Sequence, residues 1–519
     1  MNLKVISRNV GFALLVSALF MLLSVFVSLA DGGDTALAPL LISFTITFIF
    51  GIFPFFFVRK TAQISLKDGY MIIILSWFLS FVFGMLPYAM WGGPFNLINA
   101  WFESVSGFTT TGATILEDIE ALPKSLLFWR ASTHFIGGLG VVVFLLLIIP
   151  NSSPVRLRLT NMELSTLSRD DYRTRANKTV YIFAYVYLGI CALAFISYLL
   201  AGMPVFDAIC HAFSVCATGG FSSRNLSIGA FNSPLISILT IVFMFLASIH
   251  FGIIFMTLVN RSLRPLHNPI LRFYTLALVT VAIITSSSLK LQGVDESWGQ
   301  AFLDGTFHVV SYASTTGFAI SDNSTWPVLP CFMLVLVSLV CGCAGSTTGG
   351  LKVDRVMVLF KAIHMQIMKS LYPSSLFEIR VGRRILHDED IYPQVLYISM
   401  YFSCWACRPS YVCWPETPTD TPSRVPWPRW AMWVLPSAPS ALWAISIWSR
   451  TSSNSSIPVI CSWAAWKSIR SLPYCPAFST GSTNICPPAT PSYTMPFCAG
   501  SPMSPRPARI PCCAKRPSS

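Results

Sequence analysis

The chain has 519 residues, of which 54% are hydrophobic and 11% charged, and its mean hydropathy is +0.62. That balance excludes a soluble globular protein and points to an integral membrane protein with many spans. The formal charge of +13 does not mark a nucleic-acid binder, because residues 1–404 carry 25 basic and 20 acidic residues and the rest of the excess lies in the last 115 residues.

Met1 to Ala30 has the outline of a signal peptide. Its apolar run is long, no clear cleavage site follows and further spans come after, so it reads as a retained first helix. Val10–Ala30 and Pro39–Val58 are each long enough to cross, and the polar turn DGGDTA joins them. Lys4 and Arg8 lie before them, and Arg59, Lys60 and Lys67 after. The positive-inside rule therefore puts both ends, and the N-terminus, in the cytoplasm. Residues 1–68 are thus two leading transmembrane helices.

Three segments of one design follow. In residues 69–150, Tyr70–Trp91 crosses outward, and Phe95–Phe108 is too short to span and reads as a re-entrant helix. A Thr-x-Gly loop comes next, then an outer segment with Glu117, Asp118 and Glu120. Ser125–Ile149 returns, with Arg130 and His134 near its outer end and Gly137, Gly138 and Gly140 as small residues for close helix approach. Residues 151–178 are polar and basic, a cytoplasmic loop and docking surface. In residues 179–260, Tyr181–Leu200 crosses, Val205–Cys216 is the short helix, ATGGFSSRN the loop and Pro234–Val259 the return. In residues 261–370, Leu271–Leu289 crosses, Ala301–Ala313 is short and STTGFAISD is the loop. Trp326–Val340 then starts a return that CGCAGSTTGG, Cys341–Gly350, interrupts. Four glycines and three hydroxyl residues at membrane depth predict a broken helix. Lys361, Lys369, Arg380, Arg383 and Arg384 then give a basic cytoplasmic segment, fit to touch anionic headgroups or a partner. Residues 371–404 hold the end of this segment and the start of a fourth unit.

The repeat is visible without gaps. Asn99 falls on Asp207 and Asp304, Glu103 on His211 and His308, Ser106 on Ser214 and Ser311, Thr110 on Thr218 and Thr315, and Gly112 on Gly220 and Gly317. The first copy reads SVSGFTTTGAT, Ser104 to Thr114. An irregular loop at membrane depth is tolerated only where it lines a cavity or is buried in protein. Carbonyls from several such loops, aimed at one axis, can replace the water around a dehydrated cation. Glycine lets successive carbonyls turn to one side. Each short helix brings its negative dipole end toward the axis. The bland alternative is a set of small polar turns in a helical bundle.

On the motifs GFTTTGAT, ATGGFS, STTGF, FWRASTHFIGGLG and GCAGSTTGGLKV, the chain resembles the Trk/Ktr/HKT superfamily of potassium transporters, most closely its TrkH-type bacterial uptake subunits. The resemblance covers about residues 1–404. It implies an all-α integral membrane fold: four membrane–pore-loop–membrane units around one ion pore, after two leading helices. It implies potassium binding at Thr110, Thr111 and Gly112, at Thr218, Gly219 and Gly220, and at Thr315, Thr316 and Gly317. It makes Gly345, Ser346, Thr347, Thr348, Gly349 and Gly350 an intramembrane gating loop. It also implies a homodimer in the bacterial cytoplasmic membrane, seated on cytosolic nucleotide-binding regulatory subunits. Potassium is then the substrate, no cofactor is bound covalently, and nucleotide control comes through the partner; the chain has no Walker-type motif. A sodium-coupled Ktr-type subunit, or a remnant without transport, is the alternative.

The pattern fails from Trp405 on. Residues 405–519 hold twenty of the thirty-five prolines, nine of the fifteen tryptophans and two acidic residues, Glu416 and Asp420. So many prolines rule out a pair of spanning helices, and the fourth unit is lost. Codons permissible for Arg429–Ala438, RWAMWVLPSA, read two bases later as Met-Gly-Asn-Val-Gly-Pro-Ser-Ile-Gly, which resembles a fourth filter. Trp466–Pro476 in the same offset permits Glu-Ile-Tyr-Pro-Val-Ile-Ala-Leu-Leu-Ser, which resembles the family's closing helix. A frameshift between Tyr401 and Arg408 accounts for both, and it predicts an impaired product.

Three other readings remain. His211 and His308, with Glu103 in the first copy, are a conceivable metal set, but packing behind the filter explains their shared position. Asn99, Asp207 and Asp304 are natural N-caps of the short helices. The CxxC of Cys404 and Cys407 has no second pair or histidine at zinc spacing, and no HExxH or paired carboxylates suggest an enzyme using His134, His211, His250 and His308.

Overall fold

A computed structural model describes residues 2–58, 66–148, 176–375, 377–381, 384–386 and 388–406. The cytoplasmic loop expected over 151–178 lies outside these residues up to 175. So do Arg383 and everything from 407 on, including the proposed frameshift product.

The described residues are almost entirely helical. Helices α1 (Leu3–Ala30) and α2 (Leu37–Phe57) form an antiparallel pair. They approach closely where two glycines meet: a Cβ on Gly11 would lie 2.6 Å from the Gly51 carbonyl oxygen. The far face of α2 exposes Ile42, Ile49, Phe53 and Phe57, the apolar surface expected against lipid.

From here one succession recurs three times. First come α3 (Leu66–Gly84) and α4 (Leu86–Trp91), then short α5 (Leu97–Phe108), then α6 (Lys124–Ile148). Second come α7 (Ala176–Leu200), short α8 (Val205–Ala217), then α9 (Pro234–Ser248) and α10 (Phe251–Asn260). Third come α11 (Pro269–Leu291), short α12 (Trp298–Ala313), then α13 (Val328–Val340) and α14 (Val353–Leu371). Five helices among the described residues are long and apolar enough to cross a membrane, six if the bent pair α9–α10 is one span.

The return of the second segment corrects an expectation. Pro234–Val259 is not one helix: it breaks after Ser248 and bends by 100° into α10. His250 makes the new start, its Nδ1 accepting from the Gly252 amide at 2.9 Å. The return of the first segment also departs from helix, at Gly140, with φ +76°. In the ungapped register Gly140 falls on Ser248 and Gly345. All three returning helices are therefore interrupted at one repeat position, and the third is only the most extended case.

After α14, strands β1 (Ile379–Val381) and β2 (Arg384–Leu386) pair antiparallel, Ile379 opposite Leu386. They bury Ile379, Val381 and Leu386 with Met357 and Val358 of α14. Helix α15 (Asp388–Ala406) follows.

Candidate functional site

The three Thr-x-Gly loops share one backbone. Thr110, Thr218 and Thr315 take φ of +52°, +51° and +55°, and Gly112, Gly220 and Gly317 take +78°, +87° and +82°. A β-branched residue at positive φ is a strained choice, of order 1–3 kcal/mol each. Hydrogen bonds hold it in place three times over. The amides of Thr110, Thr218 and Thr315 donate to the carbonyls of Gly107, Val215 and Tyr312. The next amides, of Thr111, Gly219 and Thr316, donate to Ser106, Ser214 and Ser311 at 2.9, 2.9 and 3.0 Å. From the helix side, the Ser106 and Ser311 hydroxyls donate to the carbonyls of Ala113 and Phe318.

The loops also meet. A Cβ on Gly112 would fall 2.0 Å from the Gly219 carbonyl oxygen, and a Cβ on Gly220 would fall 2.1 Å from that of Thr316. Each glycine thus packs on the carbonyl just before the glycine of the next loop. Gly317 breaks the series: nothing among the described residues lies within 4 Å of its would-be Cβ.

Beneath the loops sits the interruption of the third returning helix. The Gly349 amide donates to the Thr315 hydroxyl at 2.9 Å. The Thr347 hydroxyl lies 3.2 Å from two carbonyls, Cys216 at the end of α8 and Ala247 in α9. The Phe251 amide donates to the Gly345 carbonyl and the Cys343 amide to that of Ser248, so the breaks of the second and third segments pair with each other. Ser346 and Thr348 share a hydroxyl bond of 2.8 Å, Lys352 reaches back to Thr348, and Gly350 is packed on Cys341. The three loops therefore abut in series, and the interruption lies against the third loop and the helix before the second.

The N-cap expectation is overturned. Asn96 and Ser297 cap α5 and α12, accepting from the amides of Asn99 and Gln300, and Pro204 occupies the cap position of α8. Asn99, Asp207 and Asp304 lie inside their helices because each helix starts earlier than its first repeat residue. Asp207 instead takes the Ser223 hydroxyl at 2.6 Å and the Arg224 guanidinium at 2.9 Å.

His211 and His308 each bond through Nδ1 to the carbonyl one turn back, of Asp207 and Asp304. The Nε2 of His211 meets the Ser222 hydroxyl at 2.9 Å. Both rings are buried behind the loops. His134 stacks on Phe221 at 4.1 Å, and its ring fills the space where a Cβ on Gly219 would sit.

Sequence reasoning missed the contact between Glu103 and Arg130. Their side chains form an ion pair of 2.8 Å, with exposures of 0% and 1%. The signal was present: an ionisable residue inside an apolar span marks a function and calls for a partner. The partner itself was not legible, because α5 and α6 come together only in the folded chain.

Five helices among the described residues, long and apolar enough to cross a membrane, with three irregular loops enclosed among them, define the class of multi-pass membrane proteins. The chain belongs to the TrkH family, described as cation transport proteins, which residues 38–407 match. Its relatives are transporters, not enzymes. It is 34% identical over 396 residues to the Trk system potassium uptake protein TrkG of Escherichia coli, spanning 75% of this chain and 80% of that one. It is 34% identical over 393 residues to TrkH of Halomonas elongata, at 75% and 81% coverage. The crystal structure of the potassium transporter TrkH from Vibrio parahaemolyticus superimposes with a TM-score of 0.70 at 28% identity, covering 79% of this chain and 86% of that one.

Proposed function

We propose that the chain is the ion-translocating subunit of a Trk-type potassium uptake system, with three membrane–pore-loop–membrane units around one ion path. The observation that carries this is the Thr–Gly backbone repeated in three loops that abut through glycine and carbonyl. Carbonyls of Thr110 to Gly112, Thr218 to Gly220 and Thr315 to Gly317 replace the hydration shell of potassium. The loop from Gly345 to Gly350 closes the path from below, since Gly349 bonds to the third filter loop and Thr347 to the helix before the second. Opening requires those bonds to break. The N-terminus is cytoplasmic, in a bacterial inner membrane. The subunit works as a homodimer on a cytosolic nucleotide-binding partner, through which any nucleotide control is exerted.

The open flank of Gly317 supports a missing fourth unit, as does the fifth of each relative's length without a counterpart here. Three loops cannot enclose a cation, so this product is impaired. The test is potassium uptake in a bacterial strain lacking its own uptake systems. The chain as it stands is expected to give no growth at low potassium, and the gene with its frame restored near codon 404 to give growth. Growth with the present chain defeats the impairment, and a frame-restored protein that inserts but moves no potassium defeats the transport reading.

A further inference from the structure

Behind the first two loops, one charged pair joins what the backbone alone only brings near. Glu103 accepts from the Arg130 Nε at 2.8 Å, from the Thr114 hydroxyl at 3.0 Å and from the Ile115 amide at 3.4 Å. Thr114 and Ile115 are the exit of the first loop. Arg130 also donates from Nη1 to the Ser222 carbonyl at 3.3 Å, and its guanidinium lies 4.0 Å over the Phe221 ring. Phe221 and Ser222 are the exit of the second loop. The pair therefore spans the junction where Gly112 abuts the Gly219 carbonyl.

Among the described residues, the junction of the second and third loops has no such pair. There the links are neutral: the Gly229 amide donates to the Ala319 carbonyl at 3.2 Å, and the Ala319 amide to the Ser227 hydroxyl at 3.4 Å. In the repeat register Arg130 falls on Ile238 and Val335, and Glu103 on the two histidines. A buried ion pair is weak evidence for stability, because apolar residues of like volume commonly serve as well. What a guanidinium adds is direction: planar, rigid donors that fix their acceptors and a flat face for stacking.

We propose that Glu103 and Arg130 are a positioning pair that sets the spacing of the first and second filter loops, and through it the preference for potassium over sodium. The proposal rests on the filter reading above. Two measurements separate them. The first is amide hydrogen exchange of the purified full chain. Glu103→Gln is expected to speed exchange at Phe221 to Asn225 about tenfold, although Glu103 touches none of them, because it releases Arg130. Arg130→Lys, which keeps the charge and loses the fork, is expected to do the same. Loosening confined to Thr111–Leu116 in Glu103→Gln, with the second loop unchanged in both variants, overturns the coupling. The second is the rubidium-to-sodium uptake ratio of the frame-restored chain, expected to fall at least fivefold in Arg130→Lys at equal protein level. An unchanged ratio overturns the selectivity role. A frame-restored parent without uptake defeats the filter reading instead, and the exchange result still decides the coupling.

Discussion

A single absent methyl group sets the distance between neighbouring loops. Gly112→Ala and Gly220→Ala each drive a Cβ to within 2.0 or 2.1 Å of a backbone carbonyl oxygen, and they add the cost of positive φ, about 1–2 kcal/mol. Gly317→Ala bears only the second cost. In thermal melts of the detergent-purified chain, the first two are expected to lose far more stability than the third; equal losses would refute the abutment of the loops. Breaking the buried pair with Arg130→Met leaves a carboxylate without its cation and is expected to cost about 3–5 kcal/mol. At this scale the common backbone of the loops was legible, because the repeat that aligns Thr110 with Thr218 and Thr315, and Gly112 with Gly220 and Gly317, is the one that gives them matching positive φ. The Glu103–Arg130 contact was not, since it crosses between helices and no spacing rule specifies it. The caps were misread because other residues upstream start the helices: Asn99, Asp207 and Asp304 are good cap types, but Asn96, Pro204 and Ser297 occupy the cap positions.

Among the elements, apolar length located the spans, although Leu3–Ala30 begins seven residues before the expected Val10 and Trp298–Ala313 three residues before the expected Ala301. The interruptions were less legible. The glycine-rich Cys341–Gly350 announces itself, whereas SIHFG around His250 holds no glycine or proline at the break, and Gly140 reads equally as a packing residue. What the sequence lacked was the mutual pairing of the breaks, which supplies the backbone partners that a broken helix needs. Thr347→Val removes a hydroxyl that meets the Cys216 and Ala247 carbonyls. Cys341 and Cys343, both buried, are then expected to react several-fold faster with a membrane-permeant thiol reagent, and unchanged labelling would count against a loop held shut by these bonds. Past the first two loops, Asn225 clasps the first segment through Asp118 and the Ile119 amide. That hydrogen bond draws the Asp118 carboxyl below its ordinary 3.8. The clasp is therefore fully present at neutral pH and weakens only as the pH falls through that lowered value. Proteolysis of the loop around Asp118 at pH 5 should match that at pH 7; a marked increase at pH 5 would show that Asp118 does not hold it.

The whole molecule poses a question of completeness. The family, its membrane class and its transport role follow from residues 38–407. The composition changes from Trp405 on, and on the proposed reading that change comes from a shifted frame. Sequencing genomic DNA across codons 395–410 is expected to show one base out of step; a confirmed frame would make the tail a natural replacement.

The vacant side of Gly317 has a meaning in time as well as in space. The first two loops each pack on a carbonyl of the loop that follows in the chain, so neither seat is complete until the next loop has been made. On the proposed reading, the third loop is the one that still waits for its successor.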